Sequence, residues 1–274
     1  MILFPNCKIN LGLQILSRRP DGYHDIATVM IPMDWTDVLE IVPAFPGRPT
    51  SLHTSGRPVE CPPEKNLVMK AWRRVKERFP DMPDADIYLH KIIPDGAGLG
   101  GGSADAAFTI RGLNSLFCLG MTDGEMAIVA AEVGMDCPFF IYNRPMYCTG
   151  RGEIMEPADV SLDGLSIVIA KPGDGVSTAA AYSGVTPGVP PVTIPEILST
   201  PVNKWQGKLV NDFEKSIFPQ CPHIEALKTE MLRLGAVYSS MSGSGSSVFA
   251  IFDRDNLADR AVDALADFTV KRVK

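Results

Sequence analysis

The sequence predicts an α+β fold in two halves, and three observations predict it. Stretches in which apolar residues alternate, the period of a strand, are interleaved with stretches in which they recur every three or four residues, the period of a helix. The order strand–helix–strand–loop–strand–helix suggests an α+β sandwich in each half. Composition changes around Gly150-Arg151-Gly152-Glu153, and a boundary shortly after it gives an N-terminal domain 1–155 and a C-terminal domain 156–274.

In chain order, Asn6 to Leu16 sets Cys7, Ile9, Leu11, Leu13 and Ile15 against Lys8, Asn10, Gly12 and Gln14, which is the pattern of a half-buried strand. Lys8 and Asn10 share its polar face. On the residues alone they are either the solvated side of an edge strand or a functional face. Arg18 to Gly22 is a turn by its Pro and Asp-Gly content. His24–Met33 and Asp37–Val42 are the next strands, and Pro43 to Pro63 is a loop with one short strand. Asn66 to Phe79 carries Leu67, Val68, Ala71, Trp72, Val75 and Phe79 at helical spacing. Asp86 to Ile92 alternates and delivers the chain into a glycine run. A helix follows from Ser103, a natural N-cap, to about Phe117. Thr122 and Glu125 form a capping box for the next helix, which ends near Gly134, before the tight connection Met135-Asp136-Cys137-Pro138. The second half offers a strand at Ser166–Ala170, a Ser177 cap and a short helix. A proline-rich excursion covers 187–201. Then come a helix at His223–Leu234, strands at 237–240 and 248–252 around Ser242-Gly243-Ser244-Gly245-Ser246, and a terminal helix from Asp255.

Composition excludes several classes. A net charge of −6 argues against nucleic acid as the partner. The six cysteines form no C-x-x-C pair and the four histidines have no metal-ligand spacing, which fits reduced thiols in a cytoplasmic protein. No apolar run approaches ~20 residues, so no membrane span is expected, and MILFPNCKIN does not read as a signal peptide.

The chemistry centres on PDGAGLGGGSADAA, residues 94–107, with five glycines between Gly96 and Gly102. Glycines let backbone N–H groups approach a ligand closely. The helix that follows aims its unsatisfied N–H groups and its dipole at the same point, which suits a polyphosphate. Gly96-x-Gly98-x-x-Gly101 also matches a dinucleotide fingerprint. That reading needs a strand ending in an acidic residue about 20 positions on, whereas Asp123 and Glu125 sit at a helix start. No Lys-Ser or Lys-Thr closes the run, so it is not a Walker loop either. A phosphate loop of another type remains.

Taken together, NCKINLGLQILSRRPDGYHDI, IPDGAGLGGGSADAA, GMDCPFF, TGRGE, GVSTAAAY, LVNDFE and MSGSGSSVFAIF resemble the GHMP kinases in order from Cys7 to Phe252. Within that superfamily they are most similar to the kinases of 4-diphosphocytidyl-2-C-methyl-D-erythritol in the non-mevalonate isoprenoid pathway. The resemblance implies an N-terminal α/β sandwich carrying the glycine loop and a ferredoxin-like C-terminal domain. It implies ATP and Mg²⁺ as cofactors, a small-molecule substrate bearing a cytidine diphosphate group, and a monomer or homodimer. Lys8 and Asp136 are then similar to the catalytic pair, and Asn10 to a substrate-positioning residue. Pro94, Asp95, Gly96, Ala97, Gly98, Leu99, Gly100, Gly101, Gly102, Ser103 and Ala104 would hold the ATP phosphates, with Ser103 also a ligand for the metal. Asn66, Leu67 and Lys91 would lie at the nucleotide. Tyr23, His24 and Tyr182 would take the cytosine, with Tyr23 and Tyr182 on its two faces and contributed by different domains. Ser242, Gly243, Ser244 and Gly245 would hold a substrate phosphate or brace the first loop. Asp95 departs from the apolar residue usual at its position. Two other readings stay open at this point: another GHMP small-molecule kinase, of the mevalonate or homoserine type, and a nucleotide-binding regulator without catalysis.

Overall fold

The structure is a computed structural model that describes residues 1–59, 61–173 and 175–273. In chain order the elements begin with β1 (Ile2–Leu3), β2 (Asn6–Arg18), β3 (His24–Thr36), β4 (Val38–Pro43), β5 (Ser51–Gly56), α1 (Leu67–Arg78) and β6 (Ala85–Lys91). They continue with α2 (Gly101–Leu116), α3 (Asp123–Ala131), α4 (Cys137–Tyr142), β7 (Met146–Thr149), β8 (Ile154–Pro157) and β9 (Ser166–Lys171). The rest are α5 (Thr178–Ser183), α6 (Ile194–Leu198), α7 (Phe213–Ile217), α8 (Pro222–Arg233), β10 (Tyr238–Met241), β11 (Val248–Phe252), α9 (Asp255–Ala264) and β12 (Thr269–Val273).

These elements form two compact units that interleave along the chain. The first comprises Met1–Cys7, Trp35–Asp95 and Gly100–Arg144; the second comprises Lys8–Asp34, Gly96–Leu99 and the chain from Pro145. The units therefore do not follow a cut at residue 155. The long strands β2 and β3 belong to the same four-stranded sheet as β7 and β8, in the order β2-β3-β7-β8, so most of the N-terminal hairpin lies in the second unit.

The first unit is a four-stranded sheet in the order β1-β4-β6-β5, with β5 and β6 parallel, and helices α1 to α4 packed among themselves. Its helices begin where the sequence supplies a cap. Asn66 accepts a hydrogen bond from Val68 N at the head of α1, and Thr122 and Glu125 close the capping box of α3.

The second unit adds an antiparallel sheet in the order β10-β11-β9-β12, with α8 and α9 packed on it. Chain order β9-α8-β10-β11-α9-β12 with that strand order is the split-βαβ arrangement of a ferredoxin-like domain. Its core gathers Val168, Ala170, Met231, Val248, Ala250 and Phe252 with Leu13 and Ile15 of β2. Each large apolar side chain buried there contributes about 1.5–3 kcal/mol of transfer free energy. Strand β2 is buried along both faces, Lys8, Asn10 and Gln14 included. The solvated edge-strand reading of Lys8 and Asn10 is thereby corrected: distant segments of the same unit cover their polar face.

Candidate functional site

In the second unit, β2 presents Lys8 and Asn10 to the middle of the glycine run. Lys8 Nζ donates to Asn10 Oδ1 at 2.6 Å and to the Gly98 carbonyl at 3.0 Å. Asn10 Nδ2 donates to Thr28 Oγ1 on β3 at 3.0 Å, and Thr28 in turn donates to Gly12 O at 2.6 Å. Lys8 is 3% exposed and Asn10 is 2% exposed, so the ammonium is fixed in place rather than sampling solvent. Asn10 here orients Lys8.

The Ser242–Ser246 turn covers the other side of the run. Ser242 Oγ donates to the same Gly98 carbonyl at 3.0 Å, and Ser247 N donates to Ala97 O at 3.2 Å. Gly98 has φ +72°, and a Cβ there would lie 2.0 Å from Ser242 O, so no other residue fits. Ser244 Oγ lies 3.2 Å from Thr178 Oγ1 at the head of α5.

Two residues to which sequence reasoning gave no role hold this turn. Asn211 Nδ2 donates to Met241 O and Gly243 O, both at 2.8 Å, while its Oδ1 accepts from Phe213 N at 3.0 Å. Glu214 Oε1 accepts from Met241 N at 2.8 Å and from Ser240 Oγ at 3.1 Å, and its Oε2 takes Lys228 Nζ. An Asn two residues ahead of a short helix was the available signal, but in a sequence it reads only as a local turn.

The aromatic residues lie in this unit as well. His24 stacks on Tyr182, ring centroids 4.9 Å apart and planes 19° from parallel, and Tyr182 meets Phe213 edge-on at 4.8 Å. Tyr23 is 52% exposed and carries the Arg151 guanidinium 5.2 Å from its ring centre. One face of Tyr182 thus has His24 on it. Tyr23, His24 and Tyr182 all come from one compact unit, not from two.

In the first unit, Gly100 is the N-cap of α2, in the left-handed region at φ +72° and with no side-chain cap. The expected cap at Ser103 is corrected: glycine's freedom at positive φ lets the helix begin at Gly101, and Ser103 lies inside its first turn. The first ladder bond is Ala104 N to Gly100 O at 2.9 Å, so the N–H groups of Gly101, Gly102 and Ser103 have no intrahelical acceptor. Leu67 Cδ1 would stand 3.6 Å from a Cβ on Gly102, which places Leu67 beside that turn. Asn66 is buried and caps α1.

Lys91 is held by two carboxylates. Its Nζ donates to Asp105 Oδ2 at 2.7 Å and to Asp37 Oδ2, with all three side chains buried. Burial pulls the Lys91 ammonium down, but the charges of Asp105 and Asp37 outweigh it and hold it above the usual lysine value. Burial, opposed by Lys91 and helped by Asp37, pushes the Asp105 carboxyl up to about 7. Asp37 Oδ1 also accepts from Ile93 N at 2.8 Å, which fixes the strand end that enters the glycine run.

Asp136 occupies the N-cap position of α4 without capping it through its side chain. The next residue, Cys137, is buried, and its thiol is pushed up to about 12 by burial, with the Asp136 charge adding and a hydrogen bond from Ser103 opposing. The described residues contain no cluster of His, Cys, Asp and Glu that could hold a metal ion.

The models of the GHMP kinases N terminal domain and of the GHMP kinases C terminal domain match residues 66–144 and 201–271. The chain is 48% identical over 254 residues to the 4-diphosphocytidyl-2-C-methyl-D-erythritol kinase of Parabacteroides distasonis, which covers 93% of this chain and 92% of that protein. Identity to the enzyme of the same name from Bacteroides fragilis is 49% over 253 residues, 92% of each chain. The chain belongs to the 4-diphosphocytidyl-2-C-methyl-D-erythritol kinase family. A crystal structure of a 4-(cytidine 5'-diphospho)-2C-methyl-D-erythritol kinase matches with a TM-score of 0.86 and 30% identity, covering 100% of this chain and 98% of that one. The two-domain fold of this kinase family and its ferredoxin-like C-terminal domain are therefore those anticipated from the motifs. No helix among the described residues is long and apolar enough to cross a membrane.

Proposed function

We propose that this chain transfers the γ-phosphoryl group of ATP to the 2-hydroxyl of 4-diphosphocytidyl-2-C-methyl-D-erythritol, giving the 2-phosphate and ADP. The observation that carries the reading is the Lys8 ammonium, buried and bonded to the Gly98 carbonyl inside a glycine run, in a member of this kinase family. Phosphoryl transfer asks mainly for positioning and for neutralisation of charge. Backbone N–H groups at the start of α2 supply fixed donors for phosphate oxygens. Lys8 supplies a positive charge whose direction is set by Asn10 and Gly98. Asp136 takes the proton of the substrate hydroxyl as the new O–P bond forms and the bond to the β-phosphate oxygen breaks. Tyr182, His24 and Tyr23 would recognise the cytosine by stacking and by an edge hydrogen bond.

The donor set suits a Mg²⁺ that arrives on the nucleotide, because Mg²⁺ keeps several waters and takes few protein groups besides substrate phosphates. Ser103 is the residue proposed to meet it, and the charge neutralisation it supplies adds to that of the helix start. The test is an ATP-consumption assay with the cytidylyl substrate beside mevalonate and homoserine, and phosphorus NMR of the product. A new monoester beside an intact diphosphate is expected. Turnover of mevalonate or homoserine with none of the cytidylyl compound would overturn the proposal.

A further inference from the structure

We infer that Asn211 is a positioning residue for phosphoryl transfer, acting on Lys8 through the Ser242–Ser246 turn and the Gly98 carbonyl. The inference rests on the kinase reading above and names a residue that reading does not use. Asn211 is 1% exposed, and its amide makes three hydrogen bonds. Two fix both carbonyls at the start of the turn, Met241 O and Gly243 O. The turn so fixed places Ser242 Oγ on Gly98 O, the same oxygen that receives Lys8 Nζ. A donor that moves along this chain moves the ammonium with it.

The segment carrying Asn211 is also laced to the strand carrying Lys8. Leu13 N donates to Val210 O at 2.9 Å, Asp212 N donates to Leu13 O at 2.8 Å, and Ile15 N donates to Asp212 Oδ2 at 2.9 Å. One short stretch, 210–212, thus registers β2 against the turn. Lys8 approaches Gly98 from the strand side and Ser242 from the turn side, so the carbonyl that both share is placed by the two together. Only an amide fits position 211. Its one oxygen meets an N–H, and its two N–H bonds meet two carbonyls that no carboxylate could face without repulsion.

The experiment compares wild type with Asn211→Asp, which keeps the shape and the acceptor for Phe213 N but loses both donors. A misplacement on the scale of 1 Å costs up to ~10²-fold in rate. At pH 8 the expected loss in kcat is about 10- to 100-fold, with KM for ATP and for the cytidylyl substrate within about threefold of wild type. Relative to wild type at each pH, kcat should recover as pH falls from 8 to 6, because the new carboxyl, once protonated, donates again to one of the two carbonyls. Because the same carboxyl also lowers fold stability as pH rises, the melting temperature is measured at each pH, and the kcat profile counts only where the variant stays fully folded. Hydrogen–deuterium exchange should rise in Gly96–Leu99 and Ser242–Ser246 while the β9–β12 sheet keeps its protection, and this readout needs no turnover. A wild type inactive on the cytidylyl compound would sink the substrate assignment and leave the exchange result to decide the role of Asn211. If Asn211→Asp does not fold, Ser242→Ala removes only the link to Gly98 and should lower kcat severalfold at unchanged melting temperature. A normal kcat in the variant that folds, a loss carried by KM, or, for Asn211→Asp, a loss independent of pH would overturn the inference.

Discussion

The Asp37–Lys91–Asp105 cluster places two carboxylates against one ammonium behind the first turn of α2, with the Lys91 ammonium 3.4 Å from where a Cβ on Gly101 would stand. One lysine cannot fully compensate two buried carboxylates. Burial is the largest cause that moves Asp105 from 3.8 to about 7. The sign follows from linkage. A carboxyl whose folded pKa lies above its unfolded value binds its proton more tightly in the native state, so its contribution is complete below pH 4 and is lost as pH rises to about 7. At ~1.4 kcal/mol per pH unit, a shift of about three units corresponds to a loss on the order of 4 kcal/mol. Asp105→Asn is neutral at every pH and keeps an oxygen for Lys91. The perturbation therefore leaves stability at pH 4.5 near wild type and makes the variant progressively the more stable protein up to about pH 7, with a constant gap beyond. Urea unfolding of both proteins at half-unit pH intervals, extrapolated linearly to water, measures the gap directly. Two curves that run parallel within about 0.5 kcal/mol from pH 4.5 to 8 would refute the reasoning, because they would mean that Asp105 ionises in the folded protein as it does in the unfolded chain.

Three further outcomes follow from the site. Gly98→Ala drives a Cβ to 2.0 Å from Ser242 O at a positive φ, so calorimetric titration with a non-hydrolysable ATP analogue should find affinity reduced at least about tenfold, given that backbone strain alone costs 1–3 kcal/mol; unchanged affinity would make the run an ordinary turn. Asp136→Asn keeps shape and loses basicity, so kcat should fall by roughly 10²–10⁴ while KM values hold; near-normal turnover would remove Asp136 from the proton transfer. Tyr182→Ala should weaken the cytidylyl substrate by up to about a hundredfold, since stacking is worth ~1–3 kcal/mol per base, with ATP affinity unchanged; equal affinity for CDP in both proteins would place the base elsewhere.

Long, strongly periodic segments were legible in the sequence because their burial pattern is local. The alternation in β2, the helical spacing in α1 and the capping box of α3 each need only neighbouring residues. Among short elements, β10 and β11 were found because they flank the glycine-serine turn, and α5 by its Ser177 cap. β7 and β8 with four residues each and β12 with five have no such marker and are too short to show a period. α6 lay hidden in a stretch read as proline-rich loop, although Thr193 and Glu196 form a capping box and Pro195 sits in the first turn, where its missing N–H costs nothing. The burial of Lys8 was out of reach for a different reason. It depends on Gly98 and Ser242, distant in sequence, meeting at one carbonyl.

The error at Ser103 says the most about function. Local rules favour a serine as N-cap because its hydroxyl satisfies N–H groups of the first turn. In the structure a glycine caps instead, three residues earlier, and contributes no side chain. A serine cap would use a donor that the proposed phosphate site leaves open. The helix begins where its own stability is least well served, with its first N–H groups left to other acceptors. At Gly98 a local rule again yields to a distant contact, because the Ser242 backbone excludes any side chain. Sequence rules fail at these positions because they describe what stabilises a helix or a turn by itself. In the proposed function the donors at this helix start stay available to the nucleotide phosphates, while the turn beside Gly98 is held by Asn211.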